Sequence, residues 1–356
     1  MRPQFIDYED LDTIKTNNPK LIISDQIDLA ITELFDIKYP QKKDTKTDTE
    51  VDQFKEELIR SNKEDWGNWV YYDWIHHLVH FPPKKEHRML RTSRNRNLVT
   101  EAEQKSLYKS TICIAGLSVG SNVVEALVSQ GIGGRLILTD MDIIEPSNLN
   151  RIRSPYYHVG VPKTLAIARK AWEIDPYLEI EIHDQGLNSD MLAQFKEDLM
   201  PTVMIDEVDD LRAKVLIREF CKTNKLPVVM AADDGDNSLV DIERYDQEPD
   251  QPIFFGRVPS DIVDKIKHST IERQELGKII GQYFIGEENI PVRMLDSLKQ
   301  VGKTLPSWPQ LGGAAALSGI AVAYIVKQII LGNKVSSKRA LVSLDKALGV
   351  SDVISG

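Results

Sequence analysis

Two cations, Arg151 and Lys163, follow a glycine turn and an acidic strand end at spacings that suit the grip of a polyphosphate. The turn is Gly116-Leu117-Ser118-Val119-Gly120-Ser121, set between an apolar run, Thr111 to Ala115, and an amphipathic stretch from Asn122 to Gln130. Glycines at 116 and 120 permit a tight turn, and the helix behind it offers free amides and a positive dipole end to a phosphate. About 20 residues further on, where an acid that binds ribose hydroxyls is expected, Leu136-Ile137-Leu138-Thr139 closes on Asp140. Asp142, the stretch Ser147-Asn148-Leu149-Asn150-Arg151 and then Gly160-Val161-Pro162-Lys163 follow. Taken singly, each has a plainer use as packing turn, cap or solvated cation. Taken together they describe a clamp for a charged polyphosphate. A dinucleotide would use the same turn and acid, but its pattern wants Gly-x-Gly-x-x-Gly. Here Gly116, Ser118 and Ser121 hold those places, with Gly120 out of step.

These groups need strands and helices to bring them together. From Ser110 onward short apolar runs alternate with helical segments: strands are expected at 111–115, 136–140, 178–182, 202–206 and 227–231, helices at 121–130, 163–174, 189–198 and 211–223. That alternation predicts a doubly wound, Rossmann-like α/β fold, a mostly parallel sheet with helices on both faces. Its ligands lie outside the carboxyl ends of the strands, where Gly116, Asp140 and Asp206 to Asp209 all fall. Residues 1–90 read as a smaller α+β accessory segment with a polar linker near 41–52, and residues 91–356 as the main domain with a helical insertion at about 256–305. Three of the five tryptophans lie within Trp66 to Trp74, a cluster that suits cementing a small subdomain in place or holding a peptide.

Composition narrows the partners. The chain has 356 residues, 42% hydrophobic and 28% charged, with a net charge of -10. Such a balance offers no general field for a nucleic acid. Two cysteines, Cys113 and Cys221, cannot supply a disulfide framework or a four-cysteine zinc site, so no structural zinc is expected. The start Met1-Arg2-Pro3-Gln4 has no apolar signal core, which makes the expected location cytoplasmic. Leu311 to Leu331 meets the length for a membrane span only marginally, and its many small residues suit a buried helix instead.

The motifs quoted above resemble the ThiF/MoeB superfamily, relatives of the ubiquitin-activating enzymes, over roughly Arg91 to Ile330. Gly116 to Ser121 resembles the family's ATP loop, Leu138 to Asp142 its ribose-binding strand end, Ser147 to Arg151 its Ser-Asn-Leu-Gln/Asn-Arg signature, and Gly160 to Lys163 its Gly-x-x-Lys. Asp206-Glu207-Val208-Asp209-Asp210 falls where the family has Asp-x-x-Asp-Asn, and Arg91-Thr92-Ser93-Arg94-Asn95 resembles its Arg-Tyr-x-Arg-Gln. A fainter resemblance to stand-alone members, and to versions fused to nitroreductase-like domains, runs through Trp66 to Tyr71 and Ser307 to Leu311.

The resemblance implies ATP- and Mg²⁺-dependent adenylation of a carboxylate, with the carboxyl end of a small protein or peptide as substrate. It assigns Gly116, Ser118 and Gly120 to the nucleotide loop and Asp140, with Asp142 beside it, to the ribose-binding strand end. Arg151 and Lys163 go to the phosphates, Asn148 to the nucleotide or metal shell, and Asp209 to Mg²⁺. It also implies a homodimer in which Arg94 reaches the partner subunit's phosphates. No cysteine stands beyond Cys221, where the family's thioester nucleophile would lie, so the acyl-adenylate is expected to pass on without an enzyme thioester. An NAD(P)-binding oxidoreductase and a non-catalytic nucleotide-binding interaction module are the other readings, and no membrane is expected.

Overall fold

A seven-stranded sheet forms the rim on which the ligand-binding residues sit. In the computed structural model, which describes residues 2–59, 66–195, 199–286 and 292–350, the chain divides into two units. One comprises Met1–Glu101 with Trp172–Tyr177, the other Ala102–Ala171 with Leu178–Gly356.

The first unit runs β1 (Gln4–Ile6), α1 (Leu11–Asn17), β2 (Ile22–Asp25), α2 (Ile27–Lys38), α3 (Asp48–Ile59), β3 (Asn68–Tyr72), β4 (His77–Phe81) and α4 (Lys84–Thr92). Its sheet has the order β1-β3-β4-β2, with β2 parallel to β4 and the other pairs antiparallel. Ile31, Leu34 and Phe35 of α2 pack on Phe54 and Ile59 of α3. That corrects the linker expected at 41–52, because α3 begins inside it. The Thr47 hydroxyl accepts the Glu50 N–H at 3.3 Å while the Glu50 carboxylate accepts the Thr47 N–H at 3.0 Å, a reciprocal cap that starts a helix in polar sequence. The tryptophan-rich stretch closes around Trp172–Tyr177. Tyr72 donates to the Trp172 carbonyl at 2.8 Å, Trp74 to Glu173 at 2.6 Å, and Asn68 to the Tyr177 hydroxyl at 2.8 Å.

The second unit continues from α5 (Glu101–Lys109) through β5 (Thr111–Ala115), α6 (Gly120–Ser129), β6 (Arg135–Thr139), α7 (Lys163–Ile174), β7 (Glu179–His183), α8 (Ser189–Ala193), β8 (Val203–Asp206), α9 (Leu211–Asn224), β9 (Pro227–Asp234) and β10 (Asn237–Arg244). After these come α10 (Ser260–His268), α11 (Arg273–Ile279), α12 (Val292–Leu298), α13 (Gly312–Ile330), β11 (Lys338–Val342) and α14 (Leu344–Leu348). The strand order is β11-β10-β9-β8-β5-β6-β7. Strands β9, β8, β5, β6 and β7 are parallel, and β10 and β11 add an antiparallel edge. Ile112, Ile114, Leu136, Leu138, Val203 and Ile205 are fully buried, as expected of parallel strands covered on both faces. The chain winds from β5 through β6 to β7, then returns to the other side of β5 with β8 and β9. The switch point is therefore the crevice outside β5 and β8, where Gly116 and Asp209 lie.

The expected Rossmann-like architecture is present, with local differences. The helix expected over 189–198 stops at Ala193, and residues 196–198 lie outside the described ones. The last parallel strand runs three residues past its expected end, to Asp234, and turns through Gly235 (φ 62°) into β10. The insertion expected at 256–305 contributes Ile266, Ile279 and Phe284 to a core shared with Leu211 and Val215 of α9, and residues 287–291 lie outside the described ones. Helix α13 is long and apolar enough to cross a membrane by composition, yet Ala314, Ala315, Val322, Ala323 and Val326 are buried in the fold. Its small residues allow close approach: a Cβ on Gly319 would lie 2.6 Å from Asn122 of α6, and one on Gly312 would lie 2.1 Å from the Asn150 carbonyl oxygen.

Candidate active site

Gly116 sets the site, because its position admits no side chain. Its φ is +87°, and a Cβ there would meet the Glu207 carbonyl oxygen at 2.2 Å, so the turn after β5 lies directly on the end of β8. Gly120, at the start of α6, is nearly as tight, with its absent Cβ 3.0 Å from Ile114. Asp140, the first residue past β6, braces the same turn. Its Oδ2 accepts the Leu117 N–H at 2.7 Å and its Oδ1 the Asp142 N–H at 2.8 Å. Burial pushes the Asp140 carboxyl up, and the nearby Lys163 ammonium and these two amides oppose that.

The two cations named by the sequence are held differently. Lys163, the first residue of α7, is buried, with its ammonium 2.8 Å from Asp142 Oδ2 and 3.9 Å from Asp140 Oδ1. Paired backbone hydrogen bonds between Ile144 and Gly160–Val161 bring it back beside those acids. Arg151 instead donates from Nε to the Ser118 hydroxyl at 2.8 Å and from Nη1 to Asn150 Oδ1 at 3.0 Å, both neutral partners. Among the described residues no carboxylate lies within 4 Å of it. Its guanidinium thus sits on the glycine turn with no carboxylate bonded to it, and its charge acts on that of Asp233. Asn148 shapes the loop in between. Its Oδ1 accepts the Glu145 N–H at 3.1 Å, and the Glu145 side chain returns the cap to the turn Pro146–Asn150.

Asp209 is exposed between β8 and α9. Asp210 caps α9, its Oδ1 accepting the Ala213 N–H at 2.8 Å, a role in which asparagine and aspartate are interchangeable. Burial alone would raise the Asp206 carboxyl, but Lys214 and Arg218 overcome it and hold the group below the usual carboxylate range. The next strand end carries Asp233, which sequence reasoning missed. Its Oδ1 accepts from the Ser318 hydroxyl at 3.0 Å. Burial pushes Asp233 up to about 6, the Arg151 charge draws it down and the Asp209 charge pushes it further up, so the three groups share one electrostatic neighbourhood. A signal was present: carrying β9 on to its Asp234-Gly235 turn puts Asp233 on the carboxyl rim.

Lys163, Asp142, Asp140, the glycine turn with Ser118, and Arg151 therefore form one connected set with Asn148, and Asp233 extends it to Asp209. Arg94 is exposed in the turn Ser93–Asn95 of the first unit. A cavity of about 320 Å³, lined by Asn188, Asp210, Arg212, Leu216, Glu219 and Lys267 among others, lies along helix α9 and shares no lining residue with the connected set. Among the described residues no three or more His, Cys, Asp or Glu side chains gather as a metal-binding group. A cation at Asp209 would take one or two protein carboxylates and complete its shell with phosphate oxygens and water, the habit of Mg²⁺.

Comparison with known proteins gives a consistent result. The model of the ThiF family matches residues 92–345. The uncharacterized protein MT1398 of Mycobacterium tuberculosis is 33% identical over 308 residues, 84% of this chain and 42% of that protein. The tRNA threonylcarbamoyladenosine dehydratase of Escherichia coli is 30% identical over 158 residues, 42% of this chain and 58% of that enzyme. The chain thus spans less than two thirds of either relative's length. The crystal structure of Escherichia coli MccB with MccA-N7isoASN superposes with a TM-score of 0.50 at 15% identity, covering 88% of this chain and 82% of that one, a likeness of fold.

Proposed function

The chain belongs to the ThiF family, and from that premise we propose that it adenylates a carboxylate with ATP and Mg²⁺. The carboxylate oxygen attacks the α-phosphorus, the bond to the β-phosphate oxygen breaks, and pyrophosphate leaves with the electron pair. Little covalent work falls to the protein in such a transfer, so position and charge decide the rate. The observation that carries this reading is Arg151, a rim cation bound only to neutral groups and set over a glycine turn. Arg151 and the amides of the turn take the phosphates. Lys163 and Asp140 keep that turn in shape, and Asp140 faces the ribose. Mg²⁺ held by Asp209, with Asp233 nearby, would neutralise charge on the departing pyrophosphate.

The substrate in this reading is the carboxyl end of a small protein or peptide. Relatives that act on tRNA exist, but a net charge of -10 gives no electrostatic support for a polyanion here. Among the described residues acids outnumber cations on the rim, with Asp140, Asp142, Asp209 and Asp233 against Arg151 and Lys163. A tetra-anionic nucleotide therefore needs the metal and a further cation, for which Arg94 of a second copy is the candidate. The product passes directly to its acceptor in the cytoplasm, because Cys113 and Cys221 are both fully buried and burial raises both thiols, leaving neither as a thiolate. ATP/pyrophosphate exchange with a panel of peptide carboxylates tests the reading, with Asp209→Ala and Arg151→Ala as controls. Exchange that survives both changes would remove it.

A further inference from the structure

We propose that the buried chain Asp206–Arg218–Glu243 is a positioning device that fixes the Asp209 turn from beneath and ties it to the segment beginning at Phe254. It rests on the adenylating reading above. Helix α9 spaces Asp210, Lys214 and Arg218 four residues apart, so all three share one face, which looks onto the end of β8. Arg218 is wholly buried; it donates from Nη1 to Asp206 Oδ2 at 2.5 Å, and its Nε lies 2.7 Å from Glu243 Oε2, an ion pair without hydrogen-bond geometry. Asp206 uses its other oxygen to accept from the Lys214 ammonium at 3.1 Å and from the Val208 N–H at 3.3 Å. The carboxylate that answers Arg218 therefore also fixes the backbone immediately before Asp209.

The far end of the chain is equally committed. Glu243 Oε1 accepts the Tyr245 hydroxyl at 2.6 Å and the Phe254 N–H at 2.8 Å, and the Arg218 guanidinium carbon lies 4.2 Å from the centre of the Phe254 ring. Phe254 (φ 52°), Phe255 (φ 58°) and Gly256 (φ 72°) are left-handed in succession, a conformation costly for two phenylalanines. Such a turn persists where its surroundings over-determine it, and here those surroundings are Glu243 and Arg218. From this turn the chain enters α10 to α12, and residues of α10 and α11 pack on the first turns of α9.

Stability alone is a poor reason for two cations and two acids under the sheet. Apolar groups of similar volume usually serve a fold as well as, or better than, a buried ion pair. What the charged groups add is geometry at Asp206, whose two oxygens take directional bonds from Arg218, Lys214 and the Val208 N–H and so hold the turn before Asp209. A displacement of the Phe254 turn would therefore be felt at Asp209.

The test replaces the charges in balance, with Arg218→Met and Glu243→Gln together. This leaves Asp206 paired with Lys214, while the side-chain amide oxygen introduced at position 243 can still accept the two bonds now made to Oε1. ATP affinity is measured by calorimetry on the full chain with Mg²⁺ and in EDTA, beside Asp209→Ala and the unaltered protein. The double variant should bind ATP in EDTA within about threefold of the unaltered protein and lose roughly tenfold of the gain that Mg²⁺ confers, as second-layer changes around metal ligands do. If it keeps the full gain while Asp209→Ala loses it, the proposal is overturned and the chain is packing only. If the unaltered protein binds ATP but gains nothing from Mg²⁺, or binds no ATP, the adenylating reading fails first and this proposal with it. Should the double variant not fold, Glu243→Gln alone gives the same comparison, with a smaller loss of the Mg²⁺ gain, about threefold, expected.

Discussion

Arg151 and Lys163 look alike in the sequence, yet their surroundings give their removal opposite consequences. Arg151→Met removes a guanidinium bound to Ser118 and Asn150, with no carboxylate within 4 Å among the described residues, and Asp233, which loses its field, is already pushed up to about 6 and can take up a proton instead. The loop keeps its anchor, because Asn122 Nδ2 donates to the Arg151 backbone carbonyl at 3.0 Å. Thermal stability should change by less than about 1 kcal/mol, the scale of neutral hydrogen bonds at a partly exposed site. ATP affinity should suffer much more. A cation about 4 Å from a phosphate at an effective dielectric near 20 interacts by about 4 kcal/mol, of which charged hydrogen bonds return about 1.5–3 net, or roughly 10- to 150-fold in Kd. Lys163→Met reverses the balance. Asp142 is largely exposed and loses little, but Asp140 is 8% exposed and loses the one cation that faces it among the described residues. Folding should lose about 2 kcal/mol, roughly 4–8 °C in Tm, less at low pH where Asp140 can take up a proton. Scanning calorimetry and ATP titration of both variants decide the matter. If Arg151→Met unfolds easily and still binds ATP, or Lys163→Met melts like the unaltered protein, the distinction between a charge already paired and one awaiting an anion is wrong.

Three further outcomes follow from the same geometry. Asp234 is 2% exposed, its Oδ1 has no protein partner, and burial pushes its carboxyl up to about 6, above the ordinary aspartate value. The folded state therefore holds its proton longer than the unfolded one. The stability present below about pH 4 should fall as pH rises through 6, by about 1–2 kcal/mol, and chemical denaturation of Asp234→Asn should show that slope reduced. At the cap of α9, Asp210→Ala should cost about 1 kcal/mol and Asp210→Asn almost nothing, read as a small difference in Tm. Gly116→Ala should be severe, because its Cβ falls 2.2 Å from a backbone oxygen at a φ of +87°. A soluble, ATP-binding Gly116→Ala protein would show that the turn does not rest on β8 as described.

How much of this was legible in the sequence depends on how far each residue's partner lies along the chain. The five parallel strands are short apolar runs closed by turn residues or acids, and the sequence places all five to within a few residues. Strand β10 escaped because it carries Asp241, Glu243 and Arg244, each no more than 3% exposed. Their charges are answered by Arg339, Arg218 and Asp246, only the last of them nearby in sequence. A pattern of charged residues reads as surface unless those distant partners are known, and the antiparallel partner β11 was lost with it. The opposite error, a linker drawn across the start of α3, was avoidable, since Thr47 and Glu50 form a capping pair visible at three-residue spacing. At the site the same rule holds. Residue types at the glycine turn and Asp140 are dictated by local backbone needs, since Gly116 has no room for a Cβ and Asp140 answers the Leu117 and Asp142 amides, so they could be named from spacing. Whether a cation is free or spent depends on a few ångströms of separation. Lys163 reads beside Arg151 as a phosphate ligand, and only the fold shows that its ammonium also lies 2.8 Å from Asp142, 21 residues earlier. Free charge at a binding rim is what remains after the fold has made its own pairs, and that remainder is set by folding rather than by composition.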